Sequence, residues 1–463
     1  MHSRAADADP RLSFWRRVRE FAVPPSMIEL ATARRQVGDW GGACAAARVD
    51  ADISLRAVAH RHGRELAARL RADLRHLAPD LLRWHLPRVA PDGLLRPGLT
   101  ISLIRYDPEQ PTAGAVHLVA RTPPAWADAG QRISLGLWDE SRRGSGPHPH
   151  PDQRFRLDLH RHLFDARRTG ELRARSGAGR AFAPAPPDEL GTTVGAHRDR
   201  YATDRWPAEA ALLLGAEGRT SGAVAVRLGT GRRLVLRVGD RAGVTSGGDG
   251  SRSVVARVGP PAGGTRPPVL PDAATWVPPD LALLRAGLIE PAGLHPLVAA
   301  ALVPEGQAPT RPAASDRTPA ARLVPCRGAA HRVGLVDGVL TALDHGPAEI
   351  RREELLAALT GTPLPCLRAI DEAHRQPECL PDVRARLDHG DTAAALATVE
   401  ALLGPEALLR DGALRDELEA AVERRLTHGL FRAGLIEAGR GPTAEKPRRS
   451  GGRRQRTRHA TSG

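Results

Sequence analysis

Residues 146–163 read GPHPHPDQRFRLDLHRHL, with four histidines and two aspartates in eighteen positions. His148, His150 and Asp152 alternate around Pro149 and Pro151. Alternate residues of an extended chain share a side, so the three can converge, and imidazole nitrogen with carboxylate oxygen is a donor set that zinc accepts. They are the candidate metal ligands, and metal-assisted hydrolysis is the chemistry they would serve. The neighbouring group fits less well. RLDLHRHLFDARR (156–168) reads as a short helix with Leu159, Leu163 and Ala166 on one side. His160 and His162 would then point about 200° apart, with His162 near Asp158 and Asp165 as solvated surface pairs. Alternating His and Pro is also a loop composition, and that ordinary reading stands beside the metal site. His62, alone on an apolar helix face, reads as a core histidine rather than a ligand.

Arginine is the second chemistry. The net charge is +14, and Lys446 is the only lysine. Arg61, Arg64, Arg71 and Arg75 fall on one side of a helix expected over 53–77 and form a candidate phosphate-tracking stripe. An interspersed, solvated helix face explains them equally, since Glu65 and Asp73 lie among them. REELLAALTGTPLPCLRAIDEAHR (352–375) resembles a helix-turn-helix. Ala357 and Gly361 stand at its small and turn positions, Leu356, Leu367 and Ile370 at apolar ones. Thr360 and Thr362 depart from the pattern. The recognition helix carries Arg368 but also Asp371 and Glu372, which suits a major-groove reader poorly. The tail 441–463, with six arginines and one lysine against one glutamate, can hold nucleic acid or an acidic partner without sequence preference.

Several chemistries are excluded. A lone lysine in the tail leaves no Walker A loop, kinase strand lysine, Schiff-base lysine or SxxK pair. Neither GxSxG nor HExxH occurs. Asp371–His374 spells the DEAH box of helicases, but follows a stretch of helical spacing and has no Walker A partner. Cys44, Cys326, Cys366 and Cys379 show no CxxC spacing, so no zinc ribbon is read and no cofactor is expected. With aromatics at 3%, stacking platforms for nucleic acid are not expected. No signal-peptide h-region and no apolar run of about 18 residues appear, so a cytoplasmic protein with no membrane contact is the expectation.

The elements that must position these residues change character along the chain. Leu55, Val58, His62, Leu66, Leu70, Leu74 and Leu77 recur at helical steps. LTISLIRY (99–106), AVHLVAR (115–121) and RISLGLW (132–138) alternate as an antiparallel meander. AVAVRL (223–228), RLVLRV (233–238) and SVVARV (253–258) form a second group, and the two groups may share one sheet. From 279 onward, everything regular reads as helical. RAGLIE occurs at 285–290 and again at 432–437, which reads as a shared helix-stop signal rather than a duplication.

The expected class is α+β: N-terminal helices, a middle antiparallel β region with two groups of about three strands, a C-terminal all-helical domain and a disordered basic tail. The expected boundaries are 1–95 (helical), 96–275 (β with short helices), 276–303 (helical hairpin), 304–328 (Pro/Ala-rich linker), 329–440 (helical domain) and 441–463 (tail). The runs VGDWGGACAAARVDADISLRAVAHRHGRELAARLRADLRHLAPDLLRWHLPRVAPDGLLRPGL (37–98), PDLALLRAGLIEPAGLHPLVAAAL and EIRREELLAALTGTPLPCLRAIDEAH resemble a family of uncharacterised bacterial proteins from high-GC genomes. The resemblance covers most of the chain except the tail. It implies one folded protein and carries no activity or site residue.

With no catalytic constellation in view, the sequence reads first as a non-catalytic scaffold or adaptor that binds protein partners. A DNA-binding regulator using 352–375 is the second reading. A metal-dependent hydrolase using His148, His150 and Asp152 is the third.

Overall fold

The computed structural model describes residues 9–108, 114–142, 150–178, 199–229, 232–240, 254–259, 267–303, 322–326, 328–361 and 363–436. The α+β class holds, with helices at both ends and sheets between.

Three helices open the chain: α1 (Pro10–Phe21), α2 (Pro25–Gln36) and α3 (Trp40–Ala46). Asp9 caps α1 by accepting from the Arg11 N–H at 2.9 Å, and Asp39 caps α3 by accepting from the Gly42 N–H at 2.8 Å. Strand β1 (Val49–Ala51) follows. The helix expected over 53–77 is two: α4 (Leu55–His62) and α5 (Arg64–His76). Gly63 separates them at φ 92°, a conformation that ends α4 and that a residue with a Cβ resists. Leu70 and Leu74 are fully buried, so the apolar face was read correctly although the helix was not continuous. Next come α6 (Pro79–His85), the short pair β2 (Arg88–Val89) and β3 (Leu94–Leu95), and the meander β4 (Thr100–Tyr106), β5 (Val116–Arg121) and β6 (Ile133–Asp139). Its order is β1-β6-β5-β4, with β1 added parallel to β6.

Residues 153–163 form successive 3₁₀ turns, not the expected helix. The 3₁₀ path turns both His160 and His162 inward, 2% and 4% exposed, with ring centroids 5.8 Å apart. They are neither divergent nor surface pairs. After α7 (Leu172–Ser176), helix α8 (Trp206–Ala216) packs on a second antiparallel sheet, β7 (Gly222–Leu228), β8 (Arg232–Asp240) and β9 (Val254–Gly259). The two strand groups are separate sheets.

Helix α9 (Asp272–Thr275) places Ala274 in the core of the second sheet, and α10 (Pro279–Arg285) and α11 (Pro296–Leu302) return to the first body, the N-terminal helices and the β1-β6-β5-β4 sheet, where Leu294, Val298 and Leu302 join its core. The expectation of only helices after 279 is corrected by a third sheet, β10 (Arg322–Cys326), β11 (Ala329–Val336) and β12 (Val339–Ala342). Its first strand occupies what was read as linker. The proline in RLVPC and the short Gly-rich runs hid the alternation. Helices α12 (Pro347–Thr360), α13 (Pro365–Arg375), α14 (Leu380–Asp388), α15 (Thr392–Leu403) and α16 (Ala413–Arg432) complete the described chain. The tail 441–463 lies outside the described residues.

The RAGLIE reading is borne out in geometry. Gly287 and Gly434 have φ 66° and 68°, and Leu288 and Leu435 donate to the carbonyls of Leu283 and Leu430. The C-terminal helices dock onto the first body at two buried histidines. His389 Nε2 lies 3.1 Å from Asp92 O, and His428 Nδ1 lies 2.8 Å from Ala127 O. Gly390 permits this approach, since a Cβ there would meet the Gly130 carbonyl oxygen at 2.5 Å.

Candidate ligand cavity

The sequence PDLLRWHLPR (79–88) builds one side of a concave site. Pro79 opens α6 and Pro87 follows its end, so the helix is a short rigid piece. Residues 79–84 are all buried, including Asp80 and Arg83. Buried charges need partners. Asp80 takes His295 Nε2 at 3.0 Å, and Arg83 donates to the carbonyls of Ala47 and Gln131. Asp280, at the start of α10, accepts from Arg19 at 2.6 and 3.1 Å and from the Trp84 indole at 3.1 Å. Arg19 also donates to the Trp84 carbonyl at 2.8 Å, and its guanidinium lies 4.4 Å from the Trp84 ring centre. His85 turns Nδ1 to the carbonyls of Leu81 and Leu163, and burial pushes its pKa down to about 4, so the ring is neutral.

This network floors a cavity of about 290 Å³ between α1, α6, the 154–157 turn and the 272–279 segment. Trp15, Trp84 and Trp276 line it, three of the seven tryptophans in the chain, together with Phe155. Six arginines line it too, and they divide into two kinds. Arg19 pairs with Asp280, Arg154 with Asp272 at 2.6 Å and Arg156 with Asp158 at 2.6 Å. Arg88 and Arg96 form no ion pair with a carboxylate among the described residues, and Arg11 has only the longer-range charge of Asp9. Arg11 reaches only the Val277 carbonyl, at 3.3 Å. Arg88 reaches the carbonyls of Arg83 and Gly93, while its Nε is buried without a partner. The Arg96 side chain has no partner among the described residues. Burial, with Arg19 nearby, pushes Arg88 down to about 9, and burial lowers Arg11 as well. A guanidinium whose pKa falls is one whose charge the protein leaves uncompensated. The wall is thus flat, apolar and short of negative charge.

The residues singled out in the sequence lie elsewhere. His148 is outside the described residues. His150 is exposed and packs its ring 5.3 Å from Trp138. Asp152 accepts from the Arg154 N–H at 2.8 Å, which caps a 3₁₀ turn. Neither belongs to any cluster of three close ligand atoms among the described residues. His160 Nε2 is 3.3 Å from Glu209, which Arg175 also grips at 2.7 Å. His62 is half-buried, 4.0 Å from Asp139. Arg61, Arg64, Arg71, Arg75 and Arg368 are all exposed, with no partner among the described residues. In 352–375 the two helices and the left-handed Gly361 are present. However, Leu356 is 49% exposed, and no residue of α12 is buried. Asp371 lies on helix α13, paired with Arg375 and Arg410, rather than at a strand end.

The cavity residues went unseen because they come from four separated segments, around 11–19, 84–96, 154–157 and 272–277. The available signal was Trp84 beside Arg83 in a short helix bounded by prolines, with Arg88 just past its end. No protein-family model, no curated protein and no solved structure matches the chain.

Proposed function

We propose that this chain is a non-catalytic binding protein, and that the tryptophan-lined cavity takes a small anionic molecule with a flat apolar part. The observation that carries the reading is that Arg88 and Arg96, with Arg11 beside them, line an apolar wall and are held in no close ion pair among the described residues. An anion there relieves the charge that burial leaves uncompensated, while the indoles stack the apolar part. The titratable groups around the cavity favour binding over proton transfer: its cations are guanidiniums, and burial keeps His85 neutral.

The test is a fluorescence titration of the full-length protein with anilinonaphthalene sulfonate and with a mononucleotide. The cavity tryptophans report directly. Saturable one-to-one quenching is expected, with at least about tenfold weaker binding in Arg96→Ala, as for loss of a charged hydrogen bond. Absence of saturation with either probe, or an unchanged affinity in Arg96→Ala, overturns the reading.

The adaptor reading has its own support in the C-terminal helices. Leu355, Leu356 and Leu359 on α12 are 64%, 49% and 85% exposed. On α16, Val422, Leu426 and Leu430 stand at four-residue steps and are also exposed. A native pull-down with and without nuclease separates a protein partner from nucleic acid held by Arg61, Arg64, Arg71 and Arg75 or by the tail.

A further inference from the structure

The third sheet and the helix packed on it gather residues that lie far apart in sequence. Cys326 ends β10, Cys366 stands in the first turn of α13, and His345 sits in the turn between β12 and α12. One ligand atom from each lies within 4.8 Å of the other two. All three are sequestered: Cys326 is 1% exposed, Cys366 is fully buried, and the His345 side chain is 4% exposed. The histidine is oriented as a ligand would be. Its Nδ1 lies 3.3 Å from the Glu349 carboxylate, and its Nε2 is buried with no partner. A carboxylate on one ring nitrogen fixes the proton there and leaves the lone pair on the other, an arrangement common behind metal-bound imidazoles. The His331 ring stacks on His345, with centroids 4.5 Å apart and planes 8° apart, and its Nδ1 is also buried and unpartnered.

We propose that Cys326, Cys366 and His345 bind a zinc ion, with His331 stacked on the ligand imidazole rather than coordinated. Two thiolates with imidazole are the soft and borderline donors that zinc selects. Binding displaces two protons, one from each thiol, as Zn²⁺ takes both sulfurs. Without an ion, burial and the neighbouring Cys326 push the Cys366 thiol up to about 11.

The local packing gives the ion something to do. The core under this sheet consists of Val324, Cys326, Val333, Ala342, Cys366 and Ile370, so two of its six buried residues are the thiols themselves. So small a core contributes little stability, and metal coordination is a usual supplement. The ordinary alternatives are two thiols filling an apolar core, or a disulfide between them.

The experiment uses the full-length protein with no affinity tag, purified under reducing conditions. Elemental analysis should find about one zinc per chain, released when an organomercurial titrates the thiols. After chelation, Co²⁺ alone should restore a tetrahedral spectrum with thiolate charge-transfer bands, weakened in Cys366→Ser and shifted in His345→Ala. Because Cys366→Ser may unfold the sheet, the wild-type mercurial release and cobalt spectrum stand as independent readouts. Failure of the apoprotein to develop thiolate–cobalt bands, bands that persist unchanged in Cys366→Ser, or a Cys326–Cys366 disulfide in the reduced preparation would each overturn the site. A His345→Ala spectrum identical to wild type would overturn the histidine ligand.

Discussion

The N-terminal body and the region from β10 to α16 are both built of helices on sheet, yet they are stabilised differently. The first has a large continuous core and sinks charged groups into it, each tied by hydrogen bonds: Arg19 to Asp280, Asp80 to His295, Arg83 to two carbonyls. The second has two small cores and keeps its ion pairs outside, such as Arg332–Asp344 and Arg375–Asp371. It leaves leucines of α12 and α16 in solvent. A buried network fixes shape, which suits a preformed cavity. An underfilled surface region is suited to completion by something else, whether an ion, a partner or the first body itself.

Acid should expose this contrast most strongly. Burial pushes His85 down to about 4 and His389 to about 3, against about 6.5 in an unfolded chain. The unfolded state therefore takes up the protons first. The stability these rings represent is complete above about pH 6.5 and is lost as pH falls toward the folded values, roughly 3–5 kcal/mol apiece. His85 lies in the cavity floor, and His389 is stacked beside Phe21 where α14 meets the first body. Urea denaturation at about pH 7 and about pH 4.5 should show the N-terminal body and its seam with the C-terminal helices failing together. Equal midpoints at the two pH values would mean that these histidines are not buried neutral.

Asp280→Ala is the next lever. It strips the partner from a buried guanidinium and from the Trp84 indole together, and should cost about 3–5 kcal/mol. Asp344→Ala removes a carboxylate from an exposed arginine in the C-terminal sheet and should leave the denaturation midpoint where it is. Comparable losses in the two variants would erase the distinction between the regions.

How much of this was legible in the sequence follows from the same contrast. The meander 99–138, the second strand group and the helix-stop glycines were readable because local periodicity and a single positive-φ residue decide them. His160 and His162 were misread because a helical period was imposed on residues that tertiary packing turns inward as 3₁₀. Strand β1 has three residues, too few for any alternation to show, and β10 carries a proline. The cavity and the Cys326–His345–Cys366 cluster were illegible for another reason. Spacing rules recognise ligands on one hairpin or helix, whereas here 40 residues separate the cysteines and four chain segments meet around the tryptophans. The stretch richest in histidine, 146–163, divides between residues outside those described, an exposed His150, a buried His160 paired with Glu209 and a buried His162.

The smallest expected effect is the most diagnostic of the C-terminal region. Val422, Leu426 and Leu430 lie along one line of α16, which meets the first body through His428 and Arg432 instead. Replacing Leu426 by Ser removes apolar surface that water already reaches, so thermal unfolding should shift by no more than about 0.5 kcal/mol equivalent. A core leucine of the same region, Leu403, is fully buried, and Leu403→Ala should cost about 2–5 kcal/mol. If Leu426→Ser proves as costly as Leu403→Ala in the isolated protein, α16 is covered in solution, by a second copy or by another part of the chain. If it is silent there and weakens capture of a partner, that face is the adaptor surface. The difference between the two variants therefore measures what the helix rests against.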